Sequence, residues 1–378
     1  MHLRALGMAL KKIRLGDYIV RSTKNNHNLE YGADLIVGVT NDGVFANPRG
    51  DNKEVNLKPY KIVNNGAFVY NPSRLNLGSI AYRTEGLCIV SHLYQIFYLN
   101  EEGKKIIDPE WLFIYFRRKS FYREVTFRNF GSQRPEFNFN DMSEIIVPLP
   151  DIEIQRKYAK VYKGMMNNLH SFEKGLEDLK LVCDGYIEDL RRQHQSVRLG
   201  DYIQQYKEVN SDLKVTKLAG LIGGEVEEAR KSSGQDNLSK FQIIYPKSIV
   251  YPPPHFGEIG TIGIVEDEPV LMSPMYVTFK AKNEDELNMN YILMWCRRDE
   301  FKRFAFFSAC SSVRDTFDFD LLCEYKLPIP KKEIQDDIVA VFKSINKRKS
   351  FISNLKQKIE DICPILIQGS VLESKGGN

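Results

Sequence analysis

The hexapeptide RLGDYI occupies residues 14–19 and recurs, letter for letter, at residues 198–203 of a 378-residue chain. A duplication constrains a fold more tightly than any composition figure, because both copies must solve the same packing problem. The surroundings repeat too. Tyr70 and Pro72 match Tyr251 and Pro253 at an offset of 181, and Gly78 and Ile80 match Gly260 and Ile262 at 182. Ser91, Tyr94 and Phe97 fall on Ser273, Tyr276 and Phe279 at that same 182. The offset then settles at 180: Arg117-Arg118 meet Arg297-Arg298, Arg123 meets Arg303, and Ser132, Arg134 and Phe137 meet Ser312, Arg314 and Phe317. Glu144 meets Glu324, and Glu153-Ile154-Gln155 meets Glu333-Ile334-Gln335. An offset drifting only from 184 to 180 is what small loop indels leave within one duplicated unit.

Each unit has two parts of different character. The first mixes short apolar runs such as LIVGVT, GAFVY, GSIAY and YQIFYL, bounded by Asn, Gly and Pro, which predict strands. It also predicts one helix, with Asp108 as N-cap and Pro109 at the first helical position, running on through WLFIYFRRKSFYREV. The counterpart starts near Asn288 and continues through MNYILMWCRRDEFKRF. After the PLP and PIP punctuation each unit turns helical. Apolar residues fall at Tyr158, Val161, Met165, Leu169, Phe172, Leu176, Leu179, Cys183, Tyr186 and Leu190, a heptad seam from Met165 onward. A second seam runs through Ile334, Ile338, Val341, Ile345, Arg348, Ile352, Leu355, Ile359, Ile362 and Leu366. The two share phase: Met165, Phe172, Leu179 and Tyr186 lie 180 residues before Ile345, Ile352, Ile359 and Leu366. A helix of about 40 residues is roughly 60 Å long, too long for one globular core, so the natural partner of each seam is the other, in an antiparallel coiled coil. Arg348 on that seam suits register more than stability. Gly164, Gly175 and Gly185 are expected to permit close approach or mark bends, and Pro364 to kink or end the second helix. The fold class expected is α+β: two pseudo-repeated mixed α/β domains separated by two long antiparallel coiled-coil helices.

Composition narrows the function by exclusion. There is no apolar run long enough to span a bilayer, and residues 1–7 make no secretory signal. Six scattered cysteines without a CxxC, and six histidines without an HxxxH, predict no zinc site and a reduced, cytoplasmic protein. A net charge of +4 is compatible with nucleic acid without arguing for it. YNPS and YPPPHF echo the loop by which DNA methyltransferases hold a flipped adenine. Neither fits: Asn71 is followed by a single proline, and the triple proline has Tyr251 and His255 where an amide or acid and an aromatic belong. GLIGG (220–224) lacks the strand–loop–helix context of a cofactor cradle, and no nucleophile–base pair or metal cluster recurs.

The order domain–helix–domain–helix, the LGD openings (Leu15-Gly16-Asp17, Leu199-Gly200-Asp201) and the junctions GSQRPEFNFNDMSEIIVPLPDIEIQ and SSVRDTFDFDLLCEYKLPIPKKEIQ closely resemble the DNA-specificity subunit of type I restriction–modification enzymes. The likeness covers essentially the whole chain, although Gly131 gives way to Ser311 in the second junction and Pro-Asp-Ile becomes Pro-Lys-Lys. It implies target recognition domains at 1–150 and 196–330, shared helical regions at 151–195 and 331–372, and a flexible tail at 373–378. The seven residues ahead of Met8 are either a short arm or the product of an upstream start.

The same resemblance implies a non-catalytic subunit that reads a bipartite stretch of double-stranded DNA. Its helices, starting at Glu153–Gln155 and Glu333–Gln335, would dock two methyltransferase (modification) subunits, joined in a full complex by restriction and translocase subunits. No cofactor is expected in this chain; S-adenosylmethionine and ATP would sit on the partners. Base readout needs donors and acceptors at groove edges. The candidates are Lys24, Asn26, Arg49, Arg74, Asn76, Gln133 and Arg134 in the first domain, and Lys207, Arg230, Lys231, His255 and Arg314 in the second. For any one of them an ordinary solvated loop is the competing reading, and for Arg134 and Arg314 a junction salt bridge. The doublets Arg117-Arg118 and Arg297-Arg298 either reach phosphates or line a solvated helix face, the commoner outcome. Two other functions compete: a protein-interaction scaffold of two modules on a coiled coil, and the specificity part of a methyltransferase-only system. A steep fall of binding with salt separates a DNA reader from a scaffold.

Overall fold

In the computed structural model, described here over residues 10–48, 55–128, 136–229, 237–254, 261–309 and 316–376, the duplicated sequence is a duplicated topology. The chain divides into two units: residues up to 172 together with those from 351 on, and residues 173–350. In the first, a four-stranded antiparallel sheet has the order Ile19–Ser22, Gln95–Leu99, Phe68–Tyr70, Ile80–Tyr82. In the second, the order is Ile203–Gln205, Val277–Ala281, Ile249–Tyr251, Gly263–Ile264. Even the isolated parallel bridges correspond, Ile36 with Ile89 and Leu218 with Leu271. Phe68 stacks on Phe97 at 5.0 Å and Phe116 meets both edge-on, giving the first sheet a wholly buried aromatic face. Tyr251, Phe279, Phe301 and Phe317 form its equivalent.

RLGDYI closes each domain. Strand Lys11–Arg14 pairs antiparallel with Ile146–Leu149, and Ser196–Arg198 with Lys326–Pro328, so the ends of each domain are zipped together. Leu15 and Leu199 are fully buried in the 3-10 turns that follow. A Cβ on Gly16 would lie 2.8 Å from the Ser143 Cβ, and one on Gly200 2.6 Å from that of Cys323. Nothing larger than glycine fits the approach of helices Phe139–Ser143 and Phe319–Cys323. Arg14 bonds Glu144, and Arg198 bonds Glu324, across each clasp.

The single helix expected from Pro109 onward is two, Pro109–Phe116 and Lys119–Arg128, and its counterpart is Met289–Cys296 and Asp299–Ala309. Asp108 caps Pro109–Phe116 as the sequence suggests, and Asn288, expected only near the start of the counterpart, is the cap of Met289–Cys296. The break falls on the arginine doublets. Arg117 turns its side chain inward, only 6% exposed, and Arg118 folds back over the Tyr115 ring at 3.8 Å while bonding its carbonyl.

The two long helices are Ile152–Gln193 and Lys332–Gly376. In the first unit Lys157 and Tyr158 reach Glu373 while Phe172 meets Phe351 at 4.7 Å, so the segments run antiparallel. In the second, Gly175 faces Arg348 while Ile187 and Leu190 share a core with Ile338, again antiparallel. Ile345, Ile352, Ile359 and Leu366 are buried, and Met165, Phe172 and Leu179 half-buried. Tyr186 and Val161 are not seam residues: they are 39% and 48% exposed, and Ile187 and Tyr162 are buried instead. Tyr162 lies three residues before Met165 and keeps the alternation of four and three in phase, while Ile187 takes the inward place of Tyr186 with Leu190 still buried beyond it. A Cβ on Gly175 would overlap the Arg348 guanidinium, so this glycine admits the seam arginine; Gly164 and Gly185 face open space. Pro364 does not end the second helix, which continues to Gly376 through most of the expected flexible tail, held at Glu373 by Lys157 and Tyr158.

Candidate nucleic-acid interface

In the first unit several segments converge on the turn after strand Phe68–Tyr70. The Asn71 side chain accepts from the Ser73 N–H at 3.0 Å, its carbonyl accepts from Arg74 at 3.1 Å, and the Arg74 carbonyl accepts from Ser79 at 3.2 Å. Leu75 anchors the turn in the core, and Gly78 takes φ +96°, where a Cβ would lie 2.5 Å from the Asn41 carbonyl. Beneath it Arg117 donates to the carbonyls of Asn41 (2.9 Å) and Gly78 (2.6 Å), binding two loops to one guanidinium. Burial pushes the neighbouring Tyr122 phenol up to about 12 against the pull of Arg117, so it stays protonated. Phe137 N–H bonds Pro72 O at 3.1 Å, and helix Lys119–Arg128 packs on the turn Leu75–Leu77. The result is a fixed platform. Arg74 is exposed on it, its side chain without a hydrogen bond or ion pair among the described residues, and Asn76 is half-exposed beside it.

The second unit repeats the scaffold. Arg297 donates to Gly224 O at 2.6 Å and pairs with Glu225 at 3.1 Å, and Phe317 N–H bonds Pro253 O at 2.9 Å. The glycine that Arg297 grips, Gly224, belongs to the GLIGG stretch. Gly223 and Gly224, at φ +59° and +92°, make the two-residue turn joining strands Ala219–Ile222 and Glu225–Glu228. They serve a hairpin, with no helix N-terminus behind them.

The arginine doublets do not line freely solvated helix faces: each side chain is bonded within its own unit. Arg117 and Arg297 are internal clamps, and Arg298 pairs with Asp184 and Glu300. Asn26 also leaves the list of base readers. It is 1% exposed, its amide donating to Tyr31 O (2.9 Å) and accepting from Tyr31 N–H (3.1 Å). Asn210, fully buried, does the same for Val215. Each closes a loop in which a leucine, Leu29 or Leu213, takes φ +55°. The signal for this pair was the shared Asn-x-x-Leu at the same 184-residue offset as RLGDYI. Lys24 and Lys207 are exposed, without a side-chain partner among the described residues. Arg49, Gln133, Arg134, Arg230, Lys231, His255 and Arg314 lie outside the described residues.

Two segments of the chain, residues 16–179 and 230–361, match the family described as type I restriction modification DNA specificity domain. The chain belongs to that family. Over 308 residues it is 24% identical to the type I restriction enzyme MjaVIII specificity subunit of Methanocaldococcus jannaschii, covering 69% of this chain and 71% of that one. Its fold is similar to that of the type-I restriction-modification system S subunit from M. genitalium, with a TM-score of 0.61 at 12% identity across 97% of this chain and 98% of the other. The two family matches fall one on each copy of the repeat. Among the described residues no cluster of His, Cys, Asp and Glu is arranged to hold a metal, and no helix is long and apolar enough to cross a membrane.

The long helices, expected as the docking elements for partner subunits, carry Glu153–Gln155 and Glu333–Gln335 in their first turns. The glutamines are committed elsewhere. Gln155 donates to Ile106 O and Pro150 O and accepts from Asp108 N–H; Gln335 donates to Glu286 O and Pro330 O and accepts from Asn288 N–H. Both are wholly buried, pinning a long helix to its own domain.

Proposed function

We propose that this chain is the non-catalytic reader of a bipartite DNA target and the seat for two modification subunits. One observation carries the reading: the duplication is kept strand for strand in the scaffold, while the exposed polar residues set on that scaffold differ between copies. A shared frame with divergent donors suits two half-sites of unlike sequence. Arg74 and Asn76 are first-domain readers, joined by Lys24; Lys207 is the second domain's. The modification subunits bind the outer faces of the long helices, where Leu181, Val182 and Ile365 are 74%, 60% and 65% exposed. S-adenosylmethionine belongs to those partners, which methylate an adenine in each half-site. ATP belongs to restriction subunits where they join.

Co-expression with the neighbouring modification subunit, followed by sequencing of the methylated genome, tests this. The expected result is a single two-part motif with a constant gap. A continuous motif, or no methylation from an assembled complex, rejects it.

A further inference from the structure

Among the exposed large hydrophobic residues, Phe127 and Phe307 stand out at 81% and 73% exposure. They occupy the same place in the repeat, 180 residues apart, in the last turns of helices Lys119–Arg128 and Asp299–Ala309. One turn earlier, on the same face, stand Arg123 and Arg303, also 180 apart and also exposed. Neither side chain makes a hydrogen bond or ion pair among the described residues, whereas nearby Arg128 and Arg298 pair with Glu124 and Asp184. The opposite face is conventional core: Phe121 and Val125, or Phe301 and Ala305, fully buried. No packing requirement of the isolated chain accounts for a phenyl in water beside an unneutralised guanidinium, let alone twice.

We propose that Arg123 with Phe127, and Arg303 with Phe307, contact DNA from a helix outside the recognition loops: each guanidinium takes a backbone phosphate and each phenyl packs against the neighbouring sugar and base edge. This rests on the DNA-reading function proposed above. Three features favour nucleic acid over protein. Among the described residues of the first-unit helix, Phe127 is the one exposed ring and Ser120, Arg123 and Thr126 are exposed polar residues, which is not the broad apolar area a docked subunit covers. A cation one turn from an aromatic answers the alternation of phosphate and base along a strand. In the first unit the helix packs on the turn that presents Arg74 and Asn76, placing the pair beside the candidate readers.

The test uses the full complex with its modification subunits and a duplex carrying the methylated motif. Arg123→Ala and Arg303→Ala should each weaken binding about tenfold and reduce the log–log salt slope by about 0.9. Phe127→Ala and Phe307→Ala should weaken it about tenfold with the slope unchanged. Thermal stability and assembly, followed by circular dichroism and native mass spectrometry, should not move. Unchanged DNA affinity in all four variants overturns the inference. So does loss of assembly with undiminished DNA affinity in whatever complex still forms, which would mark the patch as a protein-docking site. A wild-type complex that assembles but binds no duplex brings down the DNA-reading function itself, and the inference with it.

Discussion

At the scale of single residues, buried polar side chains do more to define each domain than any exposed one. Gln155, Gln335, Asn26, Asn210, Arg117 and Arg297 are bonded mainly to backbone; the glutamines and arginines tie together segments that sequence distance keeps apart, and the asparagines close local loops. Truncating one strands the groups it served. Gln155→Ala leaves the Asp108 N–H and the Ile106 and Pro150 carbonyls without their partner. It should cost about 1–3 kcal/mol of stability, measured by chemical denaturation, and Gln335→Ala should match it. A negligible loss would mean that water replaces the amide. Asn26 shows how a residue type misleads. Asn suits both base readout and loop closure, and only its burial discriminates.

At the scale of elements, the clasp between the first and last strands of each domain has a pH-sensitive component. A hydrogen bond from Arg14 holds the Glu144 carboxyl below its ordinary value of 4.5, and Arg198 does the same for Glu324. Because the folded values are depressed, this stabilisation is fully present above the ordinary range and is lost as pH falls through the folded values. The double variant Glu144→Gln, Glu324→Gln should therefore be less stable than the parent at neutral pH, the difference shrinking as the pH drops below 4.5. Denaturation midpoints across an acid series provide the measurement. A difference independent of pH would assign the effect to geometry rather than to charge. Both pairs are solvent-exposed, so added salt should weaken them as well.

At the scale of the whole molecule, the two long helices each contribute half their length to either unit. The proposed reading of a bipartite target implies that their length sets the unread gap. Inserting seven residues after Phe172 and seven before Phe351 keeps both seams in phase. It should lengthen the gap of the methylated motif while leaving both half-sites unchanged, as read by sequencing the modified genome. A change within either half-site would show that the helices also shape the recognition surfaces.

The duplication, the alternation of α/β domain and helix, the helix cap at Asp108, the helix start near Asn288 and most of the inward helical positions were legible from order alone. Each depends on local periodicity or on one copy reporting on the other. Three-dimensional contact decided the rest. The helix breaks at the arginine doublets because Arg117 and Arg297 find loop carbonyls to bind, and those carbonyls lie dozens of residues away in sequence. Ile187 rather than Tyr186 turns inward because this part of the helix joins the second unit's own core, which a heptad count does not register. For the candidate interface, sequence proposed residue types, and tertiary structure took Asn26 inward while leaving Arg74 and Lys24 exposed. Chemistry suited to DNA is written in the side chain. Whether water or backbone already occupies that side chain is settled only when the chain folds.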